Sequence, residues 1–257
     1  MSIDFEVTEG IAIITINRPG SMNALDAAAY EDLSAAWMRV RDDSDIRSVV
    51  VTGAGDKAFC AGADIKTFIG AEPPAIDFWR TQKDQLVNRG LEVWKPVIAA
   101  VNGYCLGGGM TLLLATDIRI ASPNATFALS EVKRGVIAAN GGTQRILDQL
   151  PYPLAMELLL TGDAWDVETA AKWGLVNKVV PAEDLLSEAY DYAARISANA
   201  PLAVQATKEL AVRAREMDLL SGFRMEQAML AILKRTEDAA EGIAAFNEHR
   251  PPQFKGE

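Results

Sequence analysis

Residues 97–117 read VIAAVNGYCLGGGMTLLLATD, and this stretch decides the fold. VIAAVN at 97–102 is a short, almost wholly apolar run, which predicts a buried strand. Gly103 through Gly109 follow as a glycine-rich turn, and the apolar run from Met110 to Asp117 predicts a helix. Three successive glycines offer no side chain to pack and cost backbone entropy, so they suit a place where a backbone must approach a ligand closely. Unpaired N–H groups at the start of a helix favour negative charge. A tight turn with close strand–helix packing explains the same glycines equally well, and they alone do not separate the two readings. The spacing is neither GxGxxG nor GxxxxGK[ST], so neither phosphate-binding fingerprint applies.

Outward from this centre, 5–17 (FEVTEGIAIITIN) predicts two strands around Glu9-Gly10. Tyr30, Leu33, Trp37 and Val40 fall at helical spacing within 26–41. IRSVVVT at 46–52 predicts a buried strand, 53–70 a loop entering a short helix, and 76–94 a helix ending before Lys95-Pro96. Further strands are expected at 118–121 and 126–129. Asp166 is placed to cap a helix that stops near Gly174, and helices are expected at 182–198, 202–219 and 222–235. The chain thus reads as α/β: repeated strand–strand–helix units over 1–200, then a helical region over 201–257.

The composition narrows the chemistry. A net charge of −10 argues against nucleic acid or an anionic membrane as a general partner. No apolar run approaches the roughly 18 residues that span a bilayer. The N-terminus has no basic-then-apolar pattern, and Cys60 and Cys105 do not form a CxxC pair. Together these predict a cytoplasmic protein with free thiols. His249 is the only histidine, so a multi-histidine metal site is excluded and no metal or redox cofactor is expected. Gly103-Tyr104-Cys105-Leu106-Gly107 has the GxCxG form of a nucleophile elbow, but only His249 could serve as its imidazole base. Cys105 therefore reads as a small core residue.

Two other segments carry candidate chemistry. Phe59-Cys60-Ala61-Gly62-Ala63-Asp64-Ile65-Lys66 offers small residues and exposed amides after a strand. In 127–145, Glu131 lies among apolar and small residues, either as a solvated surface group or as a partly buried acid/base.

Taken in order, several segments resemble the crotonase family, the enoyl-CoA hydratase/isomerase superfamily. They are Arg18-Pro19 with Asn23-Ala24-Leu25; Phe59 through Ile65; Lys95 through Gly103 running into Gly107-Gly108-Gly109; Asp117; Ser130-Glu131; Gly141 through Arg145; and Gly174-Leu175-Val176. The resemblance covers nearly the whole chain. It implies a spiral of ββα units, with a C-terminal helical region that builds homotrimers, often paired into hexamers. It implies a coenzyme A thioester as substrate and no separate cofactor. The thioester oxygen would sit between the N–H groups of Ala63 and Gly108, where two fixed donors stabilise a developing enolate. Asn23, Ala24 and Leu25, with Ala61, Asp64 and Ile65, would line the coenzyme groove. Lys66 and Lys255 would either neutralise its phosphates or be ordinary surface lysines. Phe68, Phe78, Trp79 and Trp94 would line an acyl pocket or pack in the core.

The chain departs from the family's hydratases at one catalytic position. Those enzymes carry two glutamates, one matching Glu131 and one two residues after the last glycine of the turn. That second position is Thr111, and Ala138-Ala139 stand where hydratases commonly have Pro-Gly. A threonine hydroxyl can orient water but cannot act as a base near neutral pH. Three readings follow: a hydratase-type lyase with Glu131 moving both protons and Thr111 placing the water, Ala139 being counted with the substrate-binding residues; an isomerase using Glu131 alone; and a non-catalytic acyl-CoA binder.

Overall fold

A computed structural model describes residues 2–65 and 85–257. β1 (Ile3–Thr8) and β2 (Ile11–Ile16) form an antiparallel hairpin. Its turn residues Glu9 and Gly10 both have positive φ, the geometry that matches strand twist in a two-residue turn. β3 (Ser48–Gly53), β5 (Val97–Val101), β7 (Ile118–Ala121) and β10 (Lys178–Val179) continue this sheet in parallel, in the order β1-β2-β3-β5-β7-β10. A second sheet holds β4 (Ala58–Cys60), β6 (Tyr104–Leu106), β8 (Thr126–Ala128) and β9 (Trp165–Asp166), in that order. The chain steps from the large sheet to the small one three times, β3 to β4, β5 to β6 and β7 to β8. This alternation is the ββα spiral.

Each step needs a sharp corner. At the β5–β6 corner a Cβ on Gly103 would stand 2.1 Å from the Lys57 carbonyl oxygen, so only glycine fits. Asn102 braces the same corner by donating to the carbonyls of Gly53 and Gly55.

The central strands β2, β3, β5 and β7 are covered on both faces, which accounts for their apolar runs, whereas the edge strands β1 and β10 are largely exposed. One face joins the main core with Leu33, Trp37, Val49, Val51, Phe59 and Phe127. On the other, Ile11, Val50, Ile98 and Ile120 meet Ala189 and Ala193 of a later helix.

In chain order the described helices are α1 (Ala27–Asp42), α2 (Gly108–Leu113), α3 (Gly142–Gln149), α4 (Tyr152–Thr161), α5 (Val167–Lys172), α6 (Leu185–Ser197), α7 (Pro201–Arg213), α8 (Leu219–Leu233) and α9 (Glu237–Glu248). Asp26 caps α1 through Ala29 N–H, and Asp166 caps α5 through Thr169 N–H as its position predicts.

Some expectations change. The glycine-rich stretch 103–109 contains the strand β6, and 53–70 contains β4, because both pair with the second sheet. The described part of the expected 76–94 helix, residues 85–94, is a turn and extended chain, with Gly90 at φ +92°. Residues 182–184 form a 3-10 turn before α6, and α7 stops at Arg213 rather than near 219. α9 adds a helix beyond those expected, capped by Thr236, whose hydroxyl accepts from Ala239 N–H. Both cysteines are free and fully buried; desolvation pushes the Cys60 thiol up to about 12 and raises that of Cys105, so neither is poised as a nucleophile.

α7 is latched to the spiral by Lys208, whose ammonium pairs with Asp117 at 2.6 Å and donates to the Lys95 carbonyl. α8 and α9 expose large apolar side chains, among them Leu219 (70%), Ile243 (66%) and Phe246 (79%). Among the described residues, no helix is long and apolar enough to cross a membrane.

Candidate active site

The three glycines of the turn divide the work. Gly107 has φ +52° and donates its N–H to the Ala128 carbonyl, closing the β6–β8 pairing. Gly109 faces β4 so closely that a Cβ would stand 2.1 Å from the Cys60 carbonyl oxygen. Gly108 opens α2, and a Cβ on it would lie 3.3 Å from the Ala63 nitrogen. Gly107 and Gly109 thus serve chain pairing and close packing, while Gly108 stands against Ala63.

The facing segment is equally constrained. Leu25 N–H donates to the Gly62 carbonyl and Asp64 N–H to the Leu25 carbonyl, both at 2.8 Å, a parallel bridge that holds 61–65 against the 23–25 loop. Gly62 has φ +93° and lies so close to α2 that an added Cβ would stand 2.8 Å from the Gly108 nitrogen, which sets Ala63 against the start of that helix. Among the described residues, neither Ala63 N–H nor Gly108 N–H has a hydrogen-bond acceptor. Two adjacent, rigidly held donors without acceptors can hold an oxygen that gains negative charge.

α2 is fixed at its other end by the buried Arg119. Its guanidinium donates to the carbonyls of Leu113, Thr116 and Leu175 and to the Gln149 side chain.

Glu131 begins the 3-10 turn Glu131–Arg134 beside Gly107; a Cβ on that glycine would stand 3.4 Å from Glu131 Oε1. Its Oε2 is buried and has no hydrogen-bond partner. Burial raises its pKa above the ordinary carboxylate value, opposed more weakly by its own backbone N–H and by Arg134. A half-buried carboxylate with one unpartnered oxygen, lying against the glycine turn, can accept and return a proton.

Thr111 lies one turn into α2 and is 1% exposed. Its hydroxyl donates to the Gly108 carbonyl at 3.0 Å and accepts from Asn88 Nδ2 at 3.1 Å. The single hydroxyl proton is thus committed to the backbone of the turn. Behind it, a Cβ on Gly142 would stand 2.8 Å from the Thr111 methyl carbon. Ala138 is buried nearby and Ala139 is exposed. Arg145 joins two walls of the site, its guanidinium donating to the Asn140 and Asn88 carbonyls.

Other expected groove residues are placed differently. Asn23 is buried, accepts from Arg18 N–H, and donates to the Ala54 and Ala58 carbonyls, so its side chain is an internal strut with nothing left for a ligand. Leu25 is buried and presents only backbone. The Ala24 carbonyl accepts from Arg18, which also pairs with Asp26 and lies 3.5 Å from the Asp64 carboxylate. Ala61 is half-buried and Ile65 exposed. Lys66, Phe68, Phe78 and Trp79 lie outside the described residues. Trp94 lies under the Arg213 guanidinium of α7 and lines a cavity of about 980 Å³ between the spiral and that helix, which contains neither Glu131 nor Gly108. The backbone at Lys255 is clamped by Asp238, which accepts from the N–H groups of Lys255 and Gly256. Sequence reasoning missed Asn88, which sits in no motif.

The sequence profile of the family described as Enoyl-CoA hydratase/isomerase matches residues 6–257. The chain belongs to the enoyl-CoA hydratase/isomerase family. Within it, this member is 43% identical to the (E)-benzylidenesuccinyl-CoA hydratase of Thauera aromatica, over the full length of both chains. It is 40% identical to the carnitinyl-CoA dehydratase of Proteus mirabilis, covering 95% of this chain and 94% of that one. The crystal structure of enoyl-CoA hydratase from Mycobacterium tuberculosis H37Rv superposes with a TM-score of 0.92 at 38% identity, covering 100% of this chain and 99% of the other.

Proposed function

We propose that this member of the family is a hydratase-type lyase that adds water reversibly across the double bond of an unsaturated acyl-CoA thioester. One observation carries the reading: two N–H groups without acceptors, Ala63 and Gly108, at the turn against which the half-buried Glu131 carboxylate lies through Gly107, with one of its oxygens unpartnered. The thioester oxygen accepts from both amides. Glu131, ionised, takes a proton from water as the water oxygen bonds to the β-carbon. The double-bond electrons move toward the thioester oxygen, giving an enolate that the amides stabilise. Glu131 then returns its proton to the α-carbon, and the carboxylate is regenerated. Backbone at 23–25 and 61–65, together with Ala139, borders the path of the coenzyme. No cofactor beyond the substrate's own coenzyme A is needed.

Thr111 favours a second reading. With one carboxylate in place of two, Glu131 can also shuttle a proton between carbons and shift a double bond. The exposed apolar side chains of α8 and α9, on residues 201–257, support assembly of that region into a homotrimer or a hexamer.

Incubation in ¹⁸O-labelled water with 2-enoyl and 3-enoyl thioesters, (E)-benzylidenesuccinyl-CoA among them, separates the readings by mass. Label on the acyl chain is the expected result. A moved double bond without label means isomerisation, and no change with any thioester would overturn both. Glu131→Gln is expected to lose turnover by at least roughly 100-fold.

A further inference from the structure

We propose that Asn88 holds the attacking water, supplying the second acceptor that the missing carboxylate at position 111 would otherwise provide. The inference rests on the hydratase reading. Asn88 is 5% exposed and its Oδ1 is buried without a hydrogen-bond partner. Thr111 fixes the orientation of the amide. Its hydroxyl gives its only proton to the Gly108 carbonyl, so it accepts from Asn88, and Nδ2 must face Thr111. Oδ1 is therefore turned away from Thr111 as an acceptor without a donor.

The position is built rather than incidental. Leu86 and Leu91 are buried on either side, the Leu86 carbonyl accepts from Arg89 and Leu91 N–H, and the Asn88 carbonyl accepts from Arg145. A buried amide oxygen left unpaired costs about 1–3 kcal/mol, which a donor supplied by a ligand would recover.

Hydrogen-bond bookkeeping identifies the donor. Among the described residues, three buried side-chain oxygens lack a partner: Asn88 Oδ1, Glu131 Oε2 and Asn102 Oδ1. Asn102 is tied to the Gly53 and Gly55 carbonyls at the spiral corner, away from α2. The other two flank the turn that starts α2: Glu131 lies beside Gly107, and Asn88 is joined through Thr111 to Gly108. Two unpartnered acceptors match the two hydrogens of one water, and the two free amides match one thioester oxygen. The β-carbon that receives the water is three bonds from that oxygen. An amide cannot take a proton from water near neutral pH, so Asn88 orients and Glu131 does the acid–base work.

Two rates measured on one sample test this. The first is ¹⁸O incorporation into a 2-enoyl thioester. The second is exchange of the α-proton of the saturated thioester in deuterated water, which uses the amides and Glu131 but no water at the β-carbon. Asn88→Leu, close in shape and without polar atoms, is expected to lower the ratio of hydration to exchange by roughly 10- to 100-fold. Partial unfolding lowers both rates together and leaves the ratio unchanged, so it cannot imitate the effect. A wild-type enzyme that hydrates, with an Asn88→Leu ratio within threefold of it, overturns the Asn88 assignment alone. A wild-type enzyme that gains no label from any thioester overturns the hydratase reading and this inference with it.

Discussion

Gly62→Ala tests the arrangement of donors most directly. Gly62 has φ +93°, and an added Cβ would stand 2.8 Å from the Gly108 nitrogen and 3.0 Å from the Leu106 carbonyl oxygen. Both neighbours are backbone in fixed elements, so the methyl either covers the Gly108 N–H or pushes α2 away from Ala63. Loss of one oxyanion donor costs about 3–4 kcal/mol of transition-state stabilisation, roughly a 100- to 1000-fold fall in kcat. The left-handed backbone adds about 1–2 kcal/mol of folding cost. Gly174→Ala separates the two effects, because Gly174 has φ +78° and nothing within 4 Å of an added Cβ. Steady-state hydration kinetics and thermal melts on both variants give the comparison. The expected result is a loss of stability in both, larger in Gly62→Ala by the cost of the backbone contact, and a fall in kcat in Gly62→Ala alone. A folded Gly62→Ala enzyme with kcat within threefold of wild type would refute the assignment of Gly108 N–H as a donor.

Glu131 must be ionised to accept the first proton, and burial raises its pKa. The acid limb of kcat/KM for hydration is therefore expected above the ordinary carboxylate range. A folded pKa above the unfolded one means the native state binds more protons in that window, so stability falls as pH rises through it. In Glu131→Gln this part of the pH dependence should vanish from melting curves; its persistence would assign the titration elsewhere. Asn23→Ala removes three hydrogen bonds, one buried and two partly buried, and is expected to cost about 2–4 kcal/mol in denaturant unfolding, whereas a purely ligand-contacting residue would leave stability unchanged. Lys208→Ala breaks the latch between α7 and Asp117 and should cost about 1–2 kcal/mol and speed amide exchange in α7; unaltered exchange would show that the latch does not hold the helix.

The β-hairpin, the buried central strands, the glycine turn and Glu131 were legible in the sequence, because each rests on local physics. Unbroken apolar runs need two covered faces, glycine permits turns closed to other residues, and a carboxylate among apolar neighbours stands out. What the triplet does at each position was not legible. Gly109 is dictated by a carbonyl of β4, nearly fifty residues earlier in the chain, and Gly108 by its approach to Ala63. The family resemblance puts Asn23 in the coenzyme groove, yet its partners at 54 and 58 turn its side chain inward. Residues 85–94 carry enough apolar character for a helix, but leave it to place Leu86 and Leu91 in the core and Asn88 against Thr111. Sequence alone determined which chemistry was available: one candidate acid, small residues around it, and no second glutamate. Only the tertiary structure decided which polar atoms are left without partners, because hydrogen-bond satisfaction is settled between segments distant in the chain and leaves no periodicity to read.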